Sequence, residues 1–532
     1  MTRAPAMAAR PTRPMPGAAP DTSAGKGGGI LGLFKLIWSL LRDRFLANLL
    51  FLSALVIGFL HGWLKMRYQY TWITFAYDVP MLLALVLVLF QLKREDKLFP
   101  ECEVSTSLKL LVGFATLYTL VPFGVPLLAG VASLRGWCFA PLMMLLGYHL
   151  VRSVRQMEIF VFMVLLLGTG TAIYGSFFQN EAEIRAMMEL SPELEFRLRG
   201  TFYSTKSGAS EFRRFSTYVT AAVFGSVMAI CTTIAVSWLM MPKAGWIQRI
   251  FLLGCGGMCA YAMLLTGSRT SMLLTVLGVV LSGVFRKGGL KLMVIPLTLL
   301  GILMITLLIS GTGRLERFST LLNPSEVMGR VAIVLRPAAA LLIQYPIGGG
   351  LGRSGHGIPA VLYGRIERFD LRTTDGDIGR LIIDMGICGL VLYVVMLHAG
   401  LSDSIRWLWK LRESNLAAIA SPIGVIFILG LAQVVTGSPY LGIPAGMLIW
   451  ILFGGLRRMV EEYDKLAKTE GEGVEDLPQF VSFIQRPQMA GLYGSPVKAT
   501  SASLPEPRAS AGTSGTAPRI RRLFSNEPRP RK

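Results

Sequence analysis

The sequence predicts an all-α, polytopic integral membrane protein with about twelve transmembrane helices and a large outer loop. Of its 532 residues, 52% are hydrophobic and only 16% are charged, and the mean hydropathy of +0.54 is too high for a soluble protein of this length. Apolar runs such as residues 292–311 are long enough to cross about 30 Å of hydrocarbon as helices. The ten-residue alternation of a transmembrane barrel does not occur.

Charges in the short loops predict the orientation of the spans. Basic loops such as "RSVR" (152–155), "RK" (286–287) and "RWLWKLR" (406–412) follow even-numbered spans, so they should face the cytoplasm. An even number of spans then places both termini in the cytoplasm and leaves two sizeable outer segments, near 179–215 and 312–379. The predicted spans are 44–64, 74–92, 107–123, 135–151, 157–178, 216–240, 247–267, 270–286, 291–311, 380–399, 418–436 and 440–456.

Two polar tails flank the predicted membrane domain, residues 30–460. Residues 1–29 are rich in Pro, Ala and Gly and lack the apolar core of a signal peptide, so they predict a disordered cytoplasmic tail. Residues 461–532 predict a second cytoplasmic tail, mostly disordered and basic. The net charge of +21 fits basic loops and tails that face anionic membrane lipids better than it fits nucleic-acid binding.

The stretch "GLGRSG" (350–355) matches the G-x-G-x-x-G pattern of dinucleotide-binding sites, with Asp375 20 residues beyond the last glycine. Such a site needs a strand before the glycines and a helix after them. Here a run with helical spacing precedes them, and Pro359 follows closely, so the glycines should form a tight turn that approaches a ligand or another helix. The six cysteines include no C-x-x-C pair. Neither a cofactor nor a metal site is therefore expected.

Arginine dominates the second outer segment. Residues 312–380 hold nine arginines and no lysine, against six acidic residues. An all-arginine set on the outer side favours bidentate recognition of phosphate or carboxylate, although pairing among these charges is the alternative. Further arginines lie at the outer membrane edge in "RLRGTF", which contains Arg199, and in "TGSRTS", which contains Arg269. A charge at such a depth usually has a partner or a function, and snorkelling to lipid phosphates is the other interpretation of Arg269.

Several short motifs follow one another between residues 195 and 400. "RLRGTF" precedes a span, "TGSRTSMLL" lies at a hairpin, "MGR" and "YPIGGGLG" lie in the large outer loop, and "DIGRLIIDMGICGLVLYV" enters the next span. In order and sidedness this series resembles the O-antigen ligase and O-antigen polymerase superfamily. The region "TTDGDIGRLIIDMG" lacks the His-Asn pair of ligases, which favours a polymerase.

The resemblance implies a metal-independent glycosyltransferase with a GT-C-like fold in the bacterial inner membrane. It would polymerise or ligate polyprenyl-diphosphate-linked glycan repeat units on the outer face, with a chain-length regulator and a flippase as partner proteins. The arginines expected to bind the diphosphate are Arg199, Arg269, Arg330, Arg336 and Arg380.

Transfer from a diphosphate also needs a group that takes the proton of the acceptor hydroxyl. The candidates in the outer loop are His356, Asp375 and Asp377, and a turn-stabilising role for His356 is the alternative. A transporter or flippase of lipid-linked sugar is the competing function. The unusual charges gather at one face and in one loop, whereas transporters usually show repeated halves and polar residues at mid-membrane, so an enzyme is favoured.

Overall fold

The apolar runs fold as helices, because a backbone surrounded by apolar groups must satisfy its own hydrogen bonds. In the computed structural model these helices are α1 (Phe45–Arg67), α2 (Asp78–Phe90), α3 (Glu103–Thr119), α4 (Leu127–Leu150), α5 (Val154–Ile173, with a π-helical turn Tyr174–Phe178), α6 (Glu181–Leu190), α7 (Ala221–Leu239), α8 (Trp246–Leu265), α9 (Arg269–Val284), α10 (Gly289–Leu292), α11 (Pro324–Gln344), α12 (Gly376–Leu411), α13 (Ala417–Val434) and α14 (Ala445–Thr469).

One short antiparallel ribbon accompanies the helices within the part of the chain that the structure describes. It consists of β1 (Phe202–Ser204) and β2 (Ser210–Phe212), paired so that Phe202 lies opposite Phe212. The ribbon lies in the first predicted outer segment, which also contains helix α6. The structure describes residues 45–68, 73, 75–92, 97–121, 123–190, 198, 201–204, 210–218, 220–241, 244–292, 294, 298, 301, 324–356, 376–434, 440, 442 and 444–469.

Six of the described helices are long and apolar enough to cross a membrane, namely α1, α4, α5, α7, α8 and α12. Three shorter apolar helices accompany them, in α2, α9 and α13. The predicted class of an all-α membrane protein is confirmed at this level. Eleven of the twelve predicted spans coincide with described helices, and the span at 291–311 lies almost entirely outside the described residues. The count of twelve spans and the GT-C-like arrangement stay predictions.

The basic loops meet at one end of the helices, hereafter the basic end, where α4, α9, α12 and α14 finish. There Lys287 lies 3.5 Å from Glu413, and Lys410 pairs with Asp464 of α14. The Tyr148 hydroxyl of α4 donates to Glu461 of α14 at 2.6 Å. Loops that the sequence assigned to a single side of the membrane therefore lie together, as the positive-inside pattern requires.

Helices α4 and α14 approach each other closely through two glycines. A Cβ at Gly147 would overlap the Ile451 carbonyl, and a Cβ at Gly454 would overlap the Met144 carbonyl. Small residues at such crossings let backbones come together and gain dispersion contacts over their whole length. This contact fixes α14 against the helix that carries much of the candidate site.

Replacing Gly147 with alanine should therefore destabilise the fold. The added methyl has no space unless the two helices separate, and overpacking of this kind costs about 1–3 kcal/mol. Gly257→Ala is the matched control, since a Cβ there meets no atom within 4 Å. We expect a lower thermal unfolding midpoint for Gly147→Ala in detergent and an unchanged or higher one for Gly257→Ala. Equal midpoints for the two variants would contradict this account of the packing.

Candidate functional site

The glycine-rich segment 345–356 packs into a break in helix α12. Gly386 interrupts α12 with φ 64° and ψ −156°, a conformation that side chains disfavour. The backbone groups released by the break are satisfied by the segment: the Ile387 amide donates to the Pro346 carbonyl at 3.0 Å, and the Gly349 amide donates to the Ile383 carbonyl at 2.7 Å. The segment and the broken helix thus complete each other's hydrogen bonding, which buried irregular backbone requires.

The glycines of "GLGRSG" serve this packing. Gly350 and Gly352 have φ of +99° and +98°, and Cβ atoms there would lie 2.6 Å from the Phe123 side chain and 2.9 Å from the Ala129 backbone. Helix α11 precedes the segment, so the strand of a dinucleotide-binding unit is not found there. The prediction that these glycines permit a tight turn against another helix is confirmed.

Asp384 anchors the segment from inside α12. Its side chain is fully buried and accepts four hydrogen bonds. The Ser354 amide and hydroxyl each donate at 2.8 Å, the Trp137 indole at 2.9 Å and the Ser133 hydroxyl at 3.1 Å. A buried carboxylate is tolerated only when donors surround it, and here they come from α4 and from the glycine-rich segment. Asp384 therefore ties these two elements to α12.

His356 is the last described residue of the segment and packs against Trp137, with ring centroids 4.5 Å apart and the ring planes tilted by 44°. The residue is partly exposed, but its Nε2 atom is buried and has no hydrogen-bond partner among the described residues. A backbone hydrogen bond to Gly136 therefore involves Nδ1. Since a carbonyl can only accept, we assign the proton of the neutral ring to Nδ1. Nε2 then keeps its lone pair, available to accept a proton.

Burial lowers the pKa of His356 from 6.5 to about 4, with further lowering by the positive charges of Arg380 and Arg135 and an opposing effect of the Gly136 carbonyl. The imidazole is consequently neutral at physiological pH. Arg135 itself forms an ion pair with Asp78 of α2. The ring of His356 thus lies in a positive field without being charged.

This pKa makes stability depend on pH in a defined direction. Because the folded-state pKa of about 4 lies below the ordinary 6.5, the unfolded chain binds this proton first as the pH falls. Stability from this group should therefore decline from about pH 6.5 down to about pH 4. We expect the unfolding midpoint of the wild type to drop more between pH 7.5 and pH 5 than that of His356→Gln. A larger drop in the variant would reverse the sign and contradict the assignment.

Asp377 belongs to the same group of side chains, hereafter the His356 cluster, which consists of Trp137, His356, Asp377, Arg380 and Tyr393. Asp377 lies fully buried in the first turn of α12, and the Tyr393 hydroxyl donates to it at 3.3 Å. Tyr393 also meets Trp137 edge-on, with ring centroids 6.1 Å apart. Of the predicted site residues, His356 therefore contacts Trp137 directly, Asp377 is linked to the same indole through Tyr393, and Arg380 acts on His356 through its charge.

The other predicted residues lie elsewhere or outside the described structure. Asp375 and Arg199 fall outside the described residues, as does the side chain of Arg330 on α11. Arg336 is exposed on α11. Arg269 begins α9 and is half-buried, next to a turn whose Thr266 carbonyl accepts from Arg213 at 2.8 Å. Arg269 therefore lies at the start of a different helix from the one that carries Asp377 and Arg380.

Sequence reasoning missed Arg135, Trp137 and Ser354, and it did not single out Asp384 among the acids of its region. A carboxylate inside the apolar run that starts at Leu381 was the available signal, since such charges are costly in a membrane. Arg213 and Arg214 were also missed. Both bind backbone carbonyls, Arg214 that of Gln179 at the end of α5, so their described contacts stabilise turns.

No model of a known protein family and no curated protein matches this sequence.

Proposed function

We propose that the protein is a membrane glycosyltransferase that polymerises, or ligates, glycan units carried on a polyprenyl diphosphate. The supporting observation is the buried Nε2 of His356, a neutral imidazole nitrogen with no described partner and with Arg380 and Arg135 acting on it electrostatically. This combination suits a base that works next to an anionic group. The membrane would be a bacterial inner membrane, with the basic end and both termini in the cytoplasm.

In the proposed reaction, the acceptor hydroxyl oxygen forms a bond to the anomeric carbon of the donor, and the bond from that carbon to the diphosphate oxygen breaks. The hydroxyl proton passes to Nε2 of His356, and the polyprenyl diphosphate leaves with the bonding electron pair. In this mechanism Arg380 would neutralise charge that develops on the leaving group. A bound diphosphate would also offset the positive field of the arginines, which raises the proton affinity of His356 when the substrate is present.

Gel analysis of glycans from cells that lack the gene tests this proposal. We expect single repeat units to accumulate on the lipid at the outer face if the protein is a polymerase, and long lipid-linked chains if it is a ligase. The wild-type gene should restore the product, whereas Arg380→Gln should not. Arg185→Gln is a control, because that surface arginine already pairs with Glu181. Full restoration by Arg380→Gln would remove this arginine from the mechanism.

A transporter of lipid-linked sugar is the second candidate, and one observation favours it. Helix α12 is broken at Gly386 between apolar segments, with Asp377 and Asp384 buried nearby, and broken helices with buried carboxylates occur at transporter binding sites. In that case the deletion strain would retain glycan units on the cytoplasmic side. Protease-free membrane vesicles of known orientation, probed with a lectin, distinguish the two sides.

A further inference from the structure

An apolar crevice lies between helices α1, α4, α5 and α14. The crevice is partly open to its surroundings and has a cavity volume of about 120 Å³. Asn48 and Gln156 are its polar side chains. The wall is otherwise formed by apolar residues and Gly147, including Phe51, Leu55, Ile159, Phe160, Met163 and Ile451.

The crevice reaches the basic end at the turn between α4 and α5. Leu150, Val151 and Gln156 line it there, and Arg152 and Arg155 lie in the same turn with exposed side chains. The turn is held in shape, since the Arg152 amide donates to the Gln156 side chain at 2.6 Å. Two arginines are thus close in sequence to the residues that line this end of the crevice.

These two arginines differ from many basic residues at the same end. Lys287, Arg406, Lys410, Arg457 and Arg458 each pair with a carboxylate. Arg152 and Arg155 have no acidic partner within the described part of the chain. No carboxylate of the described part of the chain therefore neutralises the charges of Arg152 and Arg155.

We propose that this crevice binds an anionic phospholipid, with an acyl chain along the apolar wall and the phosphate at Arg152 and Arg155. The wall lies between membrane-type helices, where lipid chains are the abundant apolar ligand, and basic rims between such helices favour anionic head groups. A zwitterionic lipid would offer the same chains but no net negative charge. The proposal does not depend on the glycosyltransferase function, because the crevice and the His356 cluster share no described residue.

Native mass spectrometry of the purified full-length protein tests the proposal. The probes are phosphatidylglycerol and phosphatidylcholine with identical acyl chains. We expect preferential retention of phosphatidylglycerol, and a loss of about 10- to 30-fold in its affinity for the Arg152→Gln/Arg155→Gln variant, given the attraction of each basic residue to anionic lipid. Ile159→Trp, which narrows the crevice, should reduce binding of both lipids.

Controls separate a defined site from general attraction. Arg249→Gln/Lys287→Gln removes two cations from exposed positions at the basic end, and Leu253→Trp places the same large side chain on an exposed position of α8. Both should bind phosphatidylglycerol like the wild type. Equal retention of the two lipids, or equal losses in test and control variants, would overturn the proposal. Failure of the full-length protein to retain either lipid would overturn the proposal as well.

Discussion

Replacing His356 with alanine is expected to reduce glycan transfer by about 10²- to 10⁴-fold, the usual contribution of a general base. The expectation rests on Nε2, which is buried, lacks a described partner and keeps its lone pair because Nδ1 faces the Gly136 carbonyl. The measurement is the rate of product formation by purified protein supplied with lipid-linked glycan extracted from the deletion strain. Binding of that glycan should change far less than the rate, since the proposed role is proton transfer.

Two further variants make this result specific. His398→Ala alters an exposed histidine of α12 and should leave the rate unchanged. His356→Gln keeps a polar side chain on Trp137 but supplies no imidazole, so it should be as slow as His356→Ala if proton transfer is the role. Near-normal rates in His356→Gln would show that His356 stabilises the turn, which is the alternative that the sequence left open.

Much of the helical framework was predictable, because long apolar runs leave the backbone few other choices. The bounds were less predictable where prolines and glycines interrupt the pattern. The predicted spans 107–123 and 135–151 are helices Glu103–Thr119 and Leu127–Leu150, so the second one begins eight residues before its predicted start. Ser133 lies in the part of that helix before the predicted start, which explains why its role did not emerge from the pattern.

The candidate site was only partly predictable, because contacts between residues distant in sequence hold it together. His356, Asp377 and Arg380 were accessible as charged or titratable residues of one outer segment. The residues that hold them in place act through contacts distant in sequence, such as the hydrogen bonds from Ser133 and Trp137 to Asp384. These contacts depend on the break at Gly386, and nothing in the local sequence distinguishes this glycine from the others of α12.

Replacing Asp384 should have the largest effect on the geometry of the site. In Asp384→Ala the Trp137 N–H and the Ser354 amide lose their acceptor and cannot rotate towards another, and each buried donor left without a partner costs about 1–3 kcal/mol. Replacing Asp384 with asparagine should not preserve these hydrogen bonds either. Oδ1 accepts from the Ser354 amide and Oδ2 from Trp137, so either orientation of an asparagine amide turns its NH₂ group towards a fixed donor.

Hydrogen–deuterium exchange measures this effect directly. We expect the backbone amides of the glycine-rich segment 345–356 to exchange faster in Asp384→Asn and Asp384→Ala than in the wild type. Glycan transfer should fall in parallel, because His356 is no longer held against Trp137. Asp403→Asn is the matched control: it alters another buried aspartate of α12, which accepts from the Val104 amide at 3.3 Å at the basic end. Asp403→Asn should lower the stability of the protein without faster amide exchange in the glycine-rich segment 345–356. Unchanged exchange of the segment in both Asp384 variants would mean that the Gly386 break alone holds it, and that Asp384 has no positioning role.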